Sequence, residues 1–275
     1  MSSLNEKYAR LKSLLAEYGS FLVAFSGGVD STFLLHAATK VPSVKFAAAV
    51  LSTPVYTPEE IAAARQFCGK RNIACHLIEC DDITPVEDNP SDRCYHCKTD
   101  MFGRIAALAK EKGFGFVLDG TNADDLSDYR PGLKALTEKG VKSPLLEAGL
   151  TKGDIRRLSR REGLKTWDKP SIACLSSRFP FGTKIDREKL KMVYEAEKLL
   201  WSLKFRQVRV RWNAGDAKIE VLPAELSRLL RPVLRDKIVS EFVRLGFHNV
   251  LLDLKGYRTG ASAEKFLRQK PGGPA

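Results

Sequence analysis

Apolar residues recur along the chain with two alternating patterns. Leu4, Tyr8, Leu11 and Leu15 fall at helical spacing and stop at Gly19, which predicts an opening helix with a glycine terminus. Phe21 to Phe25 is a short unbroken apolar run, the pattern of a buried strand. The alternation continues with a helix over Thr32–Thr39, a strand over Val44–Leu51 and a helix over Pro58–Arg71, where a first-turn proline sits beside Glu59 and Glu60. Ile73–Glu79 reads as a third strand. A polar stretch from Asp81 to Arg93 breaks the rhythm before a helix over Thr99–Lys112 and a fourth strand over Phe114–Asp119. Strands alternating with helices imply a parallel sheet covered on both faces.

After a loop-like stretch, Lys169–Thr183, the order changes. A helix is expected over Asp186–Leu203, a hairpin from Gln207–Trp212 and Lys218–Leu222, a helix over Arg231–Leu245 and a strand over Asn249–Leu254. The expected fold is therefore α/β: a parallel-sheet domain over residues 1–183, then a smaller α+β domain over 184–270 that serves substrate binding or oligomerisation. The Pro/Gly-rich stretch 271–275 is expected to be a flexible tail. No internal repeat or low-complexity tract is visible.

Composition narrows the class. No apolar run approaches the 18 or so residues needed to span a bilayer, and Met1–Arg10 is a polar lead-in, so neither a membrane nor secretion is expected and the cytoplasm is the expected address. The net charge of +12 is uneven: residues 1–150 hold 17 basic and 19 acidic side chains, the remainder 28 basic and 14 acidic. The second half thus carries a field that attracts polyanions, either nucleic acid or a phosphorylated small molecule.

Ser26-Gly27-Gly28-Val29-Asp30-Ser31 lies between the first strand and a helix, where backbone N–H groups and the positive helix end hold phosphate. Gly27 and Gly28 allow close approach, and Ser26 and Ser31 add hydroxyl donors. This is neither a Walker A loop nor a GxGxxG fingerprint. It resembles the SGGxDS signature of the PP-loop ATP pyrophosphatases (adenine nucleotide α-hydrolase-like fold), which cut ATP between the α- and β-phosphates and adenylate an oxygen. The resemblance implies that Asp30 helps position Mg²⁺ and the pyrophosphate leaving group. It also implies that a second acidic loop, Asp119 to Asp125, helps form the nucleotide site through Gly120, Thr121 and Asp124.

The six cysteines fall into two classes. Cys68 and Cys75 read as small buried apolar residues, and Cys80, at a strand end, is ambiguous. Cys94-Tyr95-His96-Cys97 is a CxxC in an irregular polar stretch, where metal or redox roles outrank a structural disulfide. Cys174 lies in a loop near Arg178, a cation able to lower a thiol pKa. Three thiolates from two loops leave one iron of a cubane cluster open; a Cys₃His zinc site through His96 is the competing account.

Together the phosphate loop, Arg93–Lys98 and the Pro170–Gly182 segment resemble the LarE-type sulfur insertases over most of the chain. The resemblance implies that ATP adenylates a carboxylate of pyridinium-3,5-biscarboxylic acid mononucleotide. Sulfur then displaces AMP to give a thiocarboxylate for the nickel-pincer cofactor. Some members sacrifice the cysteine matching Cys174, whereas those with cysteines matching Cys94, Cys97 and Cys174 hold a 4Fe-4S cluster. This chain has the three-cysteine pattern, so the cluster route with repeated turnover is expected, with Cys174 and Asp30 as catalytic residues and sulfide or a sulfur-donating partner as supplier. The same resemblance assigns anion and substrate contacts to Ser177, Arg178, Arg209 and Arg211, with Glu197 and Glu220 nearby; period two puts Arg209 and Arg211 on one strand face. Tyr95 is a candidate to stack on the pyridinium ring.

Two rivals stay open. A PP-loop tRNA thiolase would suit the basic half, though no dedicated RNA-binding module is visible and no nucleic-acid partner is expected. A non-catalytic nucleotide or zinc sensor is the other, opposed by the presence of Asp30 and both serines. A homo-oligomer is expected for an enzyme of this size.

Overall fold

The computed structural model of the chain describes residues 3–127, 131–170 and 173–258. Residues 1–85 with 92–172 make one compact unit, and residues 86–91 with 173–275 a second. The proposed tail, 271–275, lies outside the described residues.

In the first unit, helix α1 (Leu4–Tyr18) opens on a capping box between Ser3 and Glu6 and ends at Gly19, whose φ of 64° places it in the left-handed region that glycine adopts without strain. Strand β1 (Ser20–Ala24) follows, then α2 (Val29–Ala38), β2 (Lys45–Ser52), α3 (Pro58–Gly69), β3 (Cys75–Glu79), the short α4 (Thr84–Glu87), which runs across the division at residue 85, α5 (Arg93–Glu111) and β4 (Phe116–Leu118). The four strands form one sheet in the order β3-β2-β1-β4, with every pairing parallel. β1 is buried on both faces. Phe21 and Val23 enter a core with Leu11, Leu15, Phe33 and Leu34, while Leu22 faces Phe102 and Ile105 of α5 on the other side.

Two features depart from the expected pattern. The helix expected from Thr99 begins at Arg93, so Cys94 and Cys97 stand on the first turns of α5 and not in an irregular stretch. The apolar face of α5 is filled only from Phe102 onward, by Phe102, Ile105 and Ala109, so its polar opening carries no helical period to read. Beyond β4, three helices complete the unit: α6 (Pro131–Glu138), α7 (Pro144–Glu147) and α8 (Lys152–Arg161), the last opened by a capping box between Thr151 and Asp154.

The second unit contains α9 (Arg187–Ser202), capped by Asp186, then β5 (Val208–Asn213), β6 (Asp216–Val221), the short α10 (Leu226–Leu229), α11 (Pro232–Arg244) and β7 (Val250–Leu252). β5 and β6 form the expected antiparallel hairpin, and β7 adds to β6 in parallel. Among the described residues no helix is long and apolar enough to cross a membrane.

Candidate active site

The sheet order sets the location. The chain leaves β1 for β2 and β3 on one side and returns at β4 on the other, so the loops after β1 and β4 lie together at a switch point of the sheet. Their approach is close: a Cβ on Gly120 would lie 3.0 Å from the Ser31 nitrogen and 3.3 Å from the Asp30 Cβ. Gly120 thus lets the acidic loop reach the start of α2.

Helices α1, α3 and α8 each have a side chain bonded to first-turn N–H groups, from Ser3, Thr57 and Thr151. Helix α2 instead begins at Gly28, which has no side-chain cap. Gly27 has a φ of 67°, and a Cβ there would touch Ala64 of α3. The hydroxyls of Ser26 and Ser31 lie 3.2 Å apart beside this turn. The Gly28 N–H reaches the Ser26 hydroxyl at 3.4 Å, but no side chain caps the first turn of α2, so the positive end of the helix faces the loop.

Asp30 stands in the first turn of α2. Its Oδ2 is 2.5 Å from the Lys152 ammonium, and its Oδ1 is buried with no hydrogen-bond partner. Burial raises the Asp30 carboxyl above its ordinary value, Lys152 opposes this, and Asp125 adds to the rise. A buried carboxylate oxygen without a donor is costly, which marks the place where a cation or donor belongs.

The acidic loop is divided in its duties. Asp119 accepts from Ser143 Oγ at 2.6 Å and from Thr121 Oγ1, so the Thr121 hydroxyl is turned to a neighbour within the loop. Asp124 accepts from the Lys152 backbone N–H at 2.9 Å, and Asp125 accepts from Asn122. Asp124 therefore joins the acidic loop to the first turn of α8, the helix that delivers Lys152.

Lys152 and Lys169 are the site residues that sequence reasoning missed. Lys169 Nζ donates to the Gly27 carbonyl at 2.9 Å, and burial holds its pKa below the ordinary lysine value, against the effect of Glu60. The readable signal for Lys152 was the Thr151-Lys152-Gly153-Asp154 box, which fixes the start of α8. Lys169 carries no such local signal, because its role depends on a contact across most of the unit.

The three cysteines differ in setting. None is disulfide-bonded; Cys94 is exposed, and Cys97 and Cys174 are half-buried. Cys94 and Cys97 are three residues apart on α5 and share a face, with the Cys97 sulfur 3.4 Å from that of Met101. Among the described residues no three His, Cys, Asp or Glu side chains are gathered closely enough to hold a metal. His96 is 3.2 Å from Asp92, and Tyr95 donates to Glu138 at 2.7 Å with the Lys134 ammonium over its ring.

Cys174 belongs to the second unit, at the start of a 3-10 turn over Leu175–Arg178. Arg178 is fully buried and pairs with Glu197 through two bonds of 2.8 Å. Its remaining nitrogen donates to the Ala173 and Cys174 carbonyls and to Ser177 Oγ. Arg211 bonds Glu220 and the Ser177 carbonyl. Arg209 donates to the Val208 carbonyl and lies over Tyr257; burial, then repulsion from Arg178, brings its pKa down to about 10. The residues Ser177, Arg178, Glu197, Arg209, Arg211 and Glu220 do converge, and the structure gives Arg178 and Arg211 the task of holding the backbone around Cys174.

A parallel α/β sheet with an SGGVDS turn at its switch point defines a PP-loop domain. Comparison with known proteins then gives the family. The chain is 36% identical over 263 residues to pyridinium-3,5-bisthiocarboxylic acid mononucleotide synthase of Lactiplantibacillus plantarum, covering 94% of this chain and 95% of that protein. It is 39% identical over 259 residues to an uncharacterised protein of Synechocystis, covering 94% and 97%. A tRNA(Ile)-lysidine synthase of Bdellovibrio bacteriovorus is 27% identical over 172 residues, covering 56% of this chain and 52% of that enzyme. No family model matches. The chain belongs to the LarE family of synthases and is an enzyme.

Proposed function

We propose that the chain is an ATP-dependent sulfur transferase. It adenylates a carboxylate of pyridinium-3,5-biscarboxylic acid mononucleotide and replaces AMP with sulfur to leave a thiocarboxylate. The observation that carries this reading is the Asp30 carboxylate, with one oxygen on Lys152 and one buried and unpartnered, at a helix start that no side chain caps. The uncapped turn and the two serine hydroxyls suit phosphate oxygens, and the orphaned Asp30 oxygen is a hard donor of the kind Mg²⁺ prefers. Magnesium, when bound, neutralises charge on the departing pyrophosphate. Lys152 favours the ionised form of Asp30 and fixes its direction. The name of the Lactiplantibacillus relative supports the choice of substrate.

A carboxylate resists nucleophiles because its carbonyl carbon is already supplied with electrons. Transfer of AMP to one oxygen removes that protection and creates a leaving group, so a sulfur nucleophile then adds and AMP departs. Cys94, Cys97 and Cys174 are the thiols proposed to hold a 4Fe-4S cluster. The donor set suits it in kind, since none of the three is fully buried or disulfide-bonded and two share one face of α5. Such a cluster, when bound, supplies an open iron for an added sulfide and makes sulfur transfer repeatable. Arg178 and Arg211 hold the backbone of Cys174 and Ser177, which limits the positions the Cys174 sulfur can take.

The test is anaerobic purification followed by two measurements. Pyrophosphate release should depend on the pyridinium substrate and yield a thiocarboxylate; release absent with this substrate, together with salt-dependent tRNA binding, would overturn the reading in favour of an RNA thiolase. Iron and acid-labile sulfide should each approach about four per chain and fall in Cys94→Ala, Cys97→Ala and Cys174→Ala. Iron-free active protein that converts Cys174 to dehydroalanine would replace the cluster with a sacrificial thiol.

A further inference from the structure

The first unit presents two ammonium groups to the phosphate loop, and they are not equivalent. Lys152 is neutralised by Asp30 at 2.5 Å. Lys169 has no salt bridge among the described residues; its ammonium ends on a neutral acceptor, the Gly27 carbonyl. The carboxylate that most influences it, Glu60, is already engaged, with Oε2 accepting from both the backbone N–H and the hydroxyl of Thr57 at the start of α3. A partly buried cation held by a carbonyl alone retains most of its charge for another group.

The backbone behind Lys169 is fixed. Arg156 of α8 donates to the Trp167 carbonyl at 2.8 Å and to the Lys169 carbonyl at 2.9 Å. Arg156 follows Lys152 by four residues, so both project from one face of α8, one toward Asp30 and one toward the segment bearing Lys169. Helix α8 therefore organises both sides of the loop: it supplies the counter-charge for Asp30, and it clamps the chain that brings a second ammonium to Gly27.

We propose that Lys169 is a phosphate-binding residue of the nucleotide site, positioned by Arg156, and that its ammonium passes from the Gly27 carbonyl to a polyphosphate oxygen when nucleotide binds. The ligand class is a nucleoside triphosphate or the pyrophosphate derived from it. This rests on the reading of the loop as a nucleotide site and adds a residue that the loop motif does not contain. Burial lowers the Lys169 pKa, which fits an ammonium kept poorly solvated until an anion arrives.

The test compares wild type with Lys169→Met, Lys169→Arg and Arg156→Met. Binding of the non-cleavable analogue α,β-methylene-ATP, measured by calorimetry, should weaken at least about tenfold in Lys169→Met and recover in part in Lys169→Arg, as expected of a lost charge-assisted bond. Arg156→Met should weaken binding by a smaller factor and raise the KM for ATP more than it lowers kcat. In wild type the analogue should protect Lys169 from acetylation, read by mass spectrometry, with thermal unfolding of each variant as the control for folding. Equal analogue affinity in wild type and Lys169→Met, or acetylation unchanged by the analogue, would overturn the proposal. Wild-type protein that binds the analogue through Lys169 yet releases no pyrophosphate with the pyridinium substrate would instead sink the proposed reaction and leave this assignment standing.

Discussion

The phosphate loop and the arginine core of the second unit both gather opposite charges, yet they finish the job differently. In the second unit the charges close on one another: Arg178 and Glu197 are bidentate and 1% and 0% exposed, and Glu220 is shared by Arg211 and Lys218. Around the phosphate loop, Asp30 keeps one buried oxygen without a donor, and Lys169 ends on a carbonyl. A closed network is a scaffold, whereas an open one has a desolvation cost that a ligand can offset. The contrast also separates two kinds of arginine and lysine that composition treats alike.

The largest expected effect breaks the closed network. Glu197→Gln leaves the Arg178 guanidinium buried without its counter-charge, at a cost of about 3 to 5 kcal/mol in urea unfolding. Joint replacement by Arg178→Met and Glu197→Leu should recover much of that stability, although the carbonyls of Ala173 and Cys174 lose their donor.

Breaking the open network should act on rate before stability. Asp30→Asn is expected to slow pyrophosphate release by roughly 100-fold or more while thermal unfolding at neutral pH stays level or rises. The sign follows from the raised carboxyl pKa: in the folded state the ionised form is disfavoured, so its removal relieves the protein above that pKa. The acid limb of the kcat/KM profile should lie above the ordinary carboxylate range, and Lys152→Met, by deleting the opposing cation, should move it higher.

At Asp154 the balance between burial and bonding is reversed. Burial works to raise its pKa, but bonds from Lys7, Arg157 and Thr151 prevail and hold it well below the usual carboxylate range. That contribution is fully present above the ordinary value of about 3.9 and is lost as pH falls below it. Asp154→Asn should therefore lower stability at pH 6 by about 1 kcal/mol, the size of a lost cap, with the difference narrowing toward pH 2.5. The smallest expected effect on stability is at Tyr95→Phe, which gives up one exposed bond to Glu138 and should leave the thermal unfolding midpoint unchanged. Turnover retained in Tyr95→Ala would remove this ring from the substrate site.

Much of the fold was legible because its signals are local. The apolar run of β1, the glycine at 19 and the first-turn proline of α3 beside Glu59 and Glu60 each reside within a few residues. The loop at 26–31 was legible for the same reason, and it led to the family. The start of α5 was misread because its first two turns make no apolar period. The roles of Lys152, Lys169 and Arg178 were less legible because each depends on a partner far along the chain or on burial. The resemblance assigns Arg178 an anion contact; its burial against Glu197 and its bonds to the Ala173 and Cys174 carbonyls are features that no local pattern announces.

Gly120 has a consequence for synthesis on the ribosome. The loop at Ser26–Ser31 emerges roughly 90 residues before the glycine that lies against it, a delay of roughly 4 to 18 seconds at ordinary translation rates. During that interval β1 has β2 beside it but lacks β4, and the nascent chain exposes the sheet edge that β4 later covers. The switch point that brings the two loops together thus also makes the early chain a client for whatever shields unpaired strands.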